Sequence, residues 1–281
     1  MTSIQAIMTL VRVKHWVKNI FVFLPAFFAL RVDYLLTPSL YLLFISFCLV
    51  ASSVYLFNDL MDLEADRQHP QNRYRPLASG QIPPNQAKIG LFGLLLLALL
   101  SFYWIPNAWP FLLAYLILNI AYSLVLKKIP LVNVSCIALG FLLRIYAGGA
   151  VVEIPISQWM IVVVFLLTLS IALAKKRSNI LLLGIDSSPM LDLYNSSMLI
   201  GFSATFAAYV FYCLDEATIA RMQSPSLYLT ALFVFFGILR YLQLIFVQQK
   251  MEDPTTLFWT DRPMQIILFF WITTFAYLIY G

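Results

Sequence analysis

Residues 58–66 read Asn-Asp-Leu-Met-Asp-Leu-Glu-Ala-Asp and hold four of the chain's thirteen carboxylates. On a helix turning about 100° per residue, Asn58, Asp59, Asp62 and Asp66 fall within roughly 100° of one another, while Glu64 points to the opposite side. Like charges on one face repel, so stability alone does not explain the row. A divalent cation held by hard oxygens does. The alternative is a solvated helix end whose acids pair with Arg67, Arg73 and Arg75 of the following segment, but it gives no reason for Glu64 to stay off the acidic face. Asp59 to Asp66 covers about 10 Å of helix rise, enough to address more than one phosphate oxygen or metal.

Cations flank this row. Arg67, Arg73 and Arg75 follow it directly, and Pro70 and Pro76 stiffen the loop that carries them. Lys14, Lys18 and Asn19 sit at the start of the first apolar run, placed either to hold phosphate or, with Trp16, to anchor the membrane interface. Arg144 lies inside an apolar run with no acid in the inner half of the same run. A guanidinium there costs about 2.5–3.5 kcal/mol on insertion scales, so a cavity, a phosphate or helix carbonyls must meet it. Arg240 carries the same argument, with Tyr241 and Gln243 beside it. Cys48, Cys136 and Cys213 are isolated in apolar runs and read as small core residues.

The elements that must position these groups are membrane helices. The chain is 62% hydrophobic and only 11% charged, with 23 Phe and 15 Tyr, where a soluble domain is about a quarter charged. Long apolar runs without alternation point to an all-α polytopic membrane protein and not to a barrel. Nine spans are expected near 16–31, 38–58, 86–105, 109–126, 130–151, 157–175, 194–214, 226–248 and 264–280, in one transmembrane domain over 1–281. The first apolar run follows a basic segment and no small-residue cleavage site succeeds it, so it reads as retained.

Fourteen cations (Arg12, Lys14, Lys18, Arg67, Arg73, Arg75, Lys88, Lys127, Lys128, Lys175, Lys176, Arg177, Lys250 and Arg262) fall on the side of the N-terminus, against Arg31 and Arg221 opposite. That imbalance predicts a cytoplasmic N-terminus and, with nine spans, an external C-terminus. It also accounts for the basic loops without a nucleic-acid partner. The outer loops are short and nearly featureless. Nine of the thirteen acids share the inner side: Asp59, Asp62, Glu64, Asp66, Asp186, Asp192, Glu252, Asp253 and Asp261. Carboxylates interleaved with Lys and Arg suit a polyphosphate carried with Mg²⁺, the metal on hard oxygens and the remaining charge on cations.

The spacing Asn58-Asp-x-x-Asp62-x-x-x-Asp66 resembles the first aspartate-rich motif of the UbiA-type intramembrane prenyltransferases. Further segments are similar to their decaprenyl-phosphate phosphoribosyltransferase branch: Lys14-His-Trp-Val-Lys-Asn19, His69-Pro70 with Arg73-Tyr-Arg-Pro76, Tyr122-Ser123 before Lys127, Gly140-Phe141 with Arg144, Ile156-Ser-Gln-Trp159, Lys176-Arg177, Leu239-Arg-Tyr241 and Asp261-Arg262. The resemblance covers nearly the whole chain. It implies a nine-helix bundle with a cavity open to the cytoplasm, in a bacterial-type inner membrane. It implies Mg²⁺ on Asn58, Asp59, Asp62 and Asp66, the three aspartates being catalytic. Lys14, Lys18, Asn19, Arg67, Arg73, Arg75, Tyr122, Lys127, Arg144, Lys176, Arg177 and Asp261 would bind substrate. The substrates it implies are phosphoribosyl pyrophosphate and a polyprenyl phosphate, and the product a polyprenyl-phosphoribose.

Two departures qualify the resemblance. Aromatic prenyltransferases of the superfamily carry a second aspartate-rich motif after the sixth span, and here that loop has Asn179 and Asp186 but no such motif. Asn133 stands where some members have an aspartate. Late-loop metal binding would then shift to Asp253 or Asp261. The competing readings are an aromatic prenyltransferase using a polyprenyl diphosphate, and a non-catalytic transporter of an anionic metabolite, which the charge-poor outer loops disfavour.

Overall fold

The computed structural model describes residues 3–30, 32–182, 184, 188–248, 257 and 260–280, and every regular element among them is helical. Among the described residues eight helices are long and apolar enough to cross a membrane: α1 Pro38–Met61, α2 Pro84–Tyr103, α3 Pro106–Leu124, α4 Val132–Val152, α5 Gln158–Leu182, α6 Pro189–Leu214, α7 Leu227–Phe246 and α8 Arg262–Ile279. Proline occupies the first position of several of them, where its missing N–H would have had no intrahelical partner. Ser188 caps α6 by accepting the Leu191 N–H at 3.1 Å.

The remaining expected span, 16–31, is not one α-helix. Val13–Phe23 is a 3₁₀ helix and Leu24–Phe28 a short α-helix. Pro25 supplies one reason. It lacks the N–H that an α-helix would aim at the Phe21 carbonyl, and Phe21 accepts the Leu24 N–H instead. The 3₁₀ form also reaches further. At about 2.0 Å per residue against 1.5 Å, the 16 residues cover about 30 Å, where a uniform α-helix would cover about 24 Å.

Two further expectations need correction. Helix α5 continues to Leu182, so Lys175, Lys176 and Arg177 are helical residues and not loop residues. The connection after α6 is not featureless, because Glu216–Met222 forms a helix whose cap, Asp215, accepts the Thr218 N–H at 3.0 Å. Asp186, Glu252 and Asp253 lie outside the described residues.

The chain forms two compact units, residues 1–156 and 157–281. In the first, α1 packs against α2, α3, α4 and the 3₁₀ segment. Its core is apolar: Leu40, Leu43, Phe47, Leu112, Tyr115 and Val22. Gly148 of α4 lets the 3₁₀ backbone come close, since a Cβ there would lie 2.0 Å from the Val22 carbonyl oxygen. A second cluster of Leu56, Leu77, Ile82, Ala87 and Leu91 pins the connection between Asp66 and α2. In the second unit α5 lies along α6 and α7 along α8. There Trp271 donates to the Tyr209 hydroxyl at 3.0 Å, which is 2.8 Å from Thr230 Oγ1.

Helix α2 shows where lipid belongs. Ile89, Phe92, Leu96, Leu99 and Tyr103 form an exposed row at helical spacing. In water such a row is an aggregation hazard, whereas against acyl chains it is the expected surface.

Candidate active site

The acid row straddles a helix break. Helix α1 ends at Met61, Asp62 leaves helical geometry (φ −96°, ψ 8°), and a short helix resumes at Leu63–Gln68. Backbone bonds bridge the break, from Asp62 N–H to Asn58 O at 2.9 Å and from Asp66 N–H to Asp62 O at 2.7 Å. The expectation of one unbroken acidic face is thereby corrected. Asp59 and Asp66, both buried, share the guanidinium of Arg75, whose Nη1 lies 3.3 Å from Asp59 Oδ1 and 2.6 Å from Asp66 Oδ2. Asp62, about a third exposed, meets Lys127 Nζ at 2.5 Å.

Two of the groups holding the acids were not singled out from sequence. Arg12 Nη2 lies 2.6 Å from Asp59 Oδ1, and its guanidinium stacks 4.5 Å over the Tyr55 ring. Arg12 adopts the left-handed conformation (φ 53°) in the turn between helix Ser3–Leu10 and the 3₁₀ segment. Asn72 donates to Asp66 Oδ1 at 2.8 Å. It can reach back because His69 Nδ1 accepts the Gln71 and Asn72 N–H groups at 3.2 Å each, closing the turn around Pro70. No spacing in the sequence marks Arg12 among so many cations.

The three arginines of the loop part company. Arg75 is on the acids. Arg67 pairs at 2.8 Å with Glu64, which is 80% exposed, so this is a surface ion pair of adjacent turns. Arg73 lies over the Tyr74 ring and donates to its hydroxyl at 2.6 Å. Lys14 is exposed and Lys18 half-buried, on the 3₁₀ segment. Trp16 is not a free interfacial ring: its Nε1 donates to Ser52 Oγ at 3.0 Å, and Ser52 donates to the Val11 carbonyl at 2.8 Å. Tyr122 is half-buried in α3, one turn before the segment that carries Lys127.

Asn19 and Arg144 belong together. Arg144 is 5% exposed, and Nε donates to Asn19 Oδ1 at 2.7 Å, Nη1 to the Gly140 carbonyl at 2.7 Å and Nη2 to the Tyr115 hydroxyl at 3.0 Å. The Tyr115 ring lies 4.5 Å from the guanidinium carbon. Asn19 Nδ2 in turn donates to Cys48 Sγ at 3.1 Å. The partners found for this intramembrane cation are therefore neutral protein groups, one of them a helix carbonyl. Asn19, expected at the interface beside Lys14 and Lys18, is 1% exposed.

In the second unit Lys176 is half-buried and Arg177 buried. Arg177 Nε donates to Asn195 Oδ1 at 2.7 Å, Nη1 to the Ile245 carbonyl at 3.2 Å, and the guanidinium rests 4.8 Å from the Phe246 ring centre. Asp261 forms a bidentate pair with Arg240, Nε to Oδ1 at 3.0 Å and Nη2 to Oδ2 at 2.7 Å, and accepts the Met264 N–H at the start of α8. The half-buried cation within α7 thus has a carboxylate partner, contributed from just before α8.

The donor chemistry of the acid row suits a hard divalent ion: three carboxylates and Asn58 Oδ1, a buried oxygen without a hydrogen-bond partner. Among the described residues no three acidic, His or Cys side chains close on one point. A metal would therefore draw on carboxylate oxygens that now serve Arg12, Arg75 and Lys127.

Fold and site together define an all-helical integral membrane protein with an acidic row, two of its three aspartates buried, and its counter-ions at the end of a spanning helix. The UbiA prenyltransferase family model matches residues 19–273, and the chain belongs to that family of transferases. Over 99% of its length it is 31% identical to the decaprenyl-phosphate phosphoribosyltransferase of Mycolicibacterium smegmatis, of which it covers 93%. It is 29% identical over 96% of its length to the protein of that name from Mycobacterium tuberculosis, again covering 93%. A UbiA homologue from Archaeoglobus fulgidus, solved with GPP and Mg²⁺, superposes at a TM-score of 0.73 and 19% identity, with 98% of this chain and 100% of that one covered.

Proposed function

We propose that this protein transfers 5-phosphoribose from phosphoribosyl pyrophosphate to a polyprenyl phosphate in a Mg²⁺-dependent reaction. The carrying observation is the near full-length similarity, at about 30% identity, to proteins named for that activity. The family match runs across both compact units, which supports reading 1–281 as one domain. With the first segment reaching about 30 Å in its 3₁₀ form, we take it as a ninth span. The excess of cations on the N-terminal side supports an orientation with the acid row and its loops in the cytoplasm, facing the soluble substrate.

In the reaction a phosphate oxygen of the lipid attacks the anomeric carbon, the bond from that carbon to pyrophosphate breaks, and pyrophosphate leaves. Asp59, Asp62 and Asp66, with Asn58 as a neutral oxygen donor, would hold the metal. Bound there, Mg²⁺ supplies Lewis-acid stabilisation of the charge growing on the leaving group. Arg75 and Lys127 stand on those carboxylates and are placed to meet phosphate oxygens. Arg144 holds Asn19, and through it the segment bearing Lys14 and Lys18, which are assigned to the phosphate groups of the two substrates. Arg67 and Arg73, exposed and turned to Glu64 and Tyr74, are assigned to the rim. Tyr122 is kept with the phosphate-binding set, and Lys176, Arg177 and Asp261 as substrate residues of the second unit.

The test is transfer of label. Membranes containing the protein, given labelled phosphoribosyl pyrophosphate, polyprenyl phosphate and Mg²⁺, should move label into the lipid phase, and Asp62→Asn should abolish this while still inserting. No lipid-borne label, together with transfer from a prenyl diphosphate to an aromatic acid, would replace the proposal with aromatic prenyl transfer.

A further inference from the structure

The acid row is electrically closed before any ligand arrives. Asp59, Asp62 and Asp66 carry three negative charges, and Arg12, Arg75 and Lys127, each within 3.3 Å of one of their oxygens, carry three positive ones. The cations come from three separate places: the turn before the 3₁₀ segment, the loop after the acids, and the link from α3 to α4. They also occupy the lone pairs a metal would need. Asp59 Oδ1 accepts from both Arg12 and Arg75, Asp66 Oδ2 from Arg75, and Asp62 Oδ1 from Lys127. Asp59 and Asp66 are about 95% buried, so solvent screens these contacts poorly.

We propose that Arg12, Arg75 and Lys127 are exchangeable counter-ions, which hold the acids until a divalent cation and a diphosphate arrive together and then transfer to the phosphate oxygens. The inference rests on the diphosphate reading given above. A divalent cation entering by itself would displace guanidinium and ammonium groups from carboxylates and leave two excess positive charges in a neutral cluster. A diphosphate entering by itself would face the carboxylates. Arriving as a pair, the metal takes the carboxylate oxygens while the displaced cations find acceptors of matching charge. Binding of the two ligands is then strongly and reciprocally coupled. Arg12 acquires a role in this exchange. Its left-handed backbone and its seat on the Tyr55 ring define the position from which it must move.

Calorimetric titration of the purified full-length protein in detergent tests this with Mg²⁺ alone, pyrophosphate alone in chelator, and each in the presence of the other. For wild type, saturating pyrophosphate should tighten Mg²⁺ binding at least tenfold, and Mg²⁺ should tighten pyrophosphate binding by the same factor. In Arg12→Gln, Mg²⁺ alone should bind at least tenfold tighter than in wild type, and the coupling factor should shrink. Lys127→Met should shift in the same direction. It also guards against misfolding of the first variant, because its partner Asp62 is about a third exposed. Equal binding of Mg²⁺ alone to wild type and both variants would overturn the counter-ion proposal while leaving the diphosphate site intact. Failure of wild type to bind the pair at all would overturn the diphosphate reading itself.

Discussion

Replacing Gly148 with alanine tests how the N-terminal segment is held. The added Cβ would lie 2.0 Å from the Val22 carbonyl oxygen, 2.9 Å from its carbon and 3.2 Å from its Cα. All three are backbone atoms, so no rotamer change relieves the clash, and ordinary contact requires the segment to retreat by more than 1 Å. Asn19 lies three residues earlier, and its 2.7 Å bond from Arg144 would stretch beyond hydrogen-bonding range. Overpacking of this kind costs about 1–3 kcal/mol. Loss of a hydrogen bond from a buried guanidinium adds about 1.5–3 kcal/mol. A destabilisation of roughly 2.5–6 kcal/mol follows, on the order of a quarter or more of a typical protein's stability. The control is Gly93→Ala on α2, where nothing lies within 4 Å of the new Cβ. Better helix propensity, worth up to about 1 kcal/mol, makes that change neutral or slightly favourable. Denaturation of both variants in detergent, beside the label-transfer assay of the proposed activity, reads the result. Gly148→Ala with wild-type stability and turnover would refute the close approach and the positioning argument built on it.

Arg75 and Arg67 should behave as opposites. Arg75→Met takes the ion partner from the buried Asp66, leaving Asp59 to Arg12 alone, and should cost about 3–5 kcal/mol and the activity, with Asp66→Asn in the same chain recovering part of the stability. Arg67→Ala removes only an exposed pair and should change stability by about 0.5 kcal/mol or less, which equilibrium denaturation of the two variants checks. In the second unit, a double-mutant cycle of Arg240→Leu and Asp261→Leu should show the double variant more stable than Arg240→Leu alone, which leaves the buried Asp261 carboxylate without its ion partner, whereas Asp261→Leu leaves a half-buried guanidinium beside Gln243. Additive losses would remove the pair from the stability of that unit.

The sequence by itself determined the membrane class, the positions of eight long helices to within about three residues except that α5 ends seven residues later and α6 begins five residues earlier, and the acid row as the place to look. These depend on local quantities: apolar run length, proline at helix starts, and charges at helical spacing. The family followed from motifs spread along nearly the whole chain. Periodicity could not divide lipid-facing from buried surface, because the spans are apolar all round. The row on α2 through Phe92 and Leu96 became distinguishable only once neighbours covered the other side.

Tertiary structure decided the pairing of charges and the shape of the first segment. Of the cations near the acids, Arg67 was as plausible as Arg75, and Arg12 was one more in a basic N-terminal stretch. Which of them meets a carboxylate depends on the break at Asp62, on the turn His69 closes, and on the Leu77 cluster that returns the loop. Arg144 was legible as a cation needing a partner, yet Asn19, 125 residues away, became that partner only through the approach Gly148 allows. Contacts across such separations leave no periodic trace in a single chain. The acids were written in the sequence, and the cations that balance them were assigned by the fold.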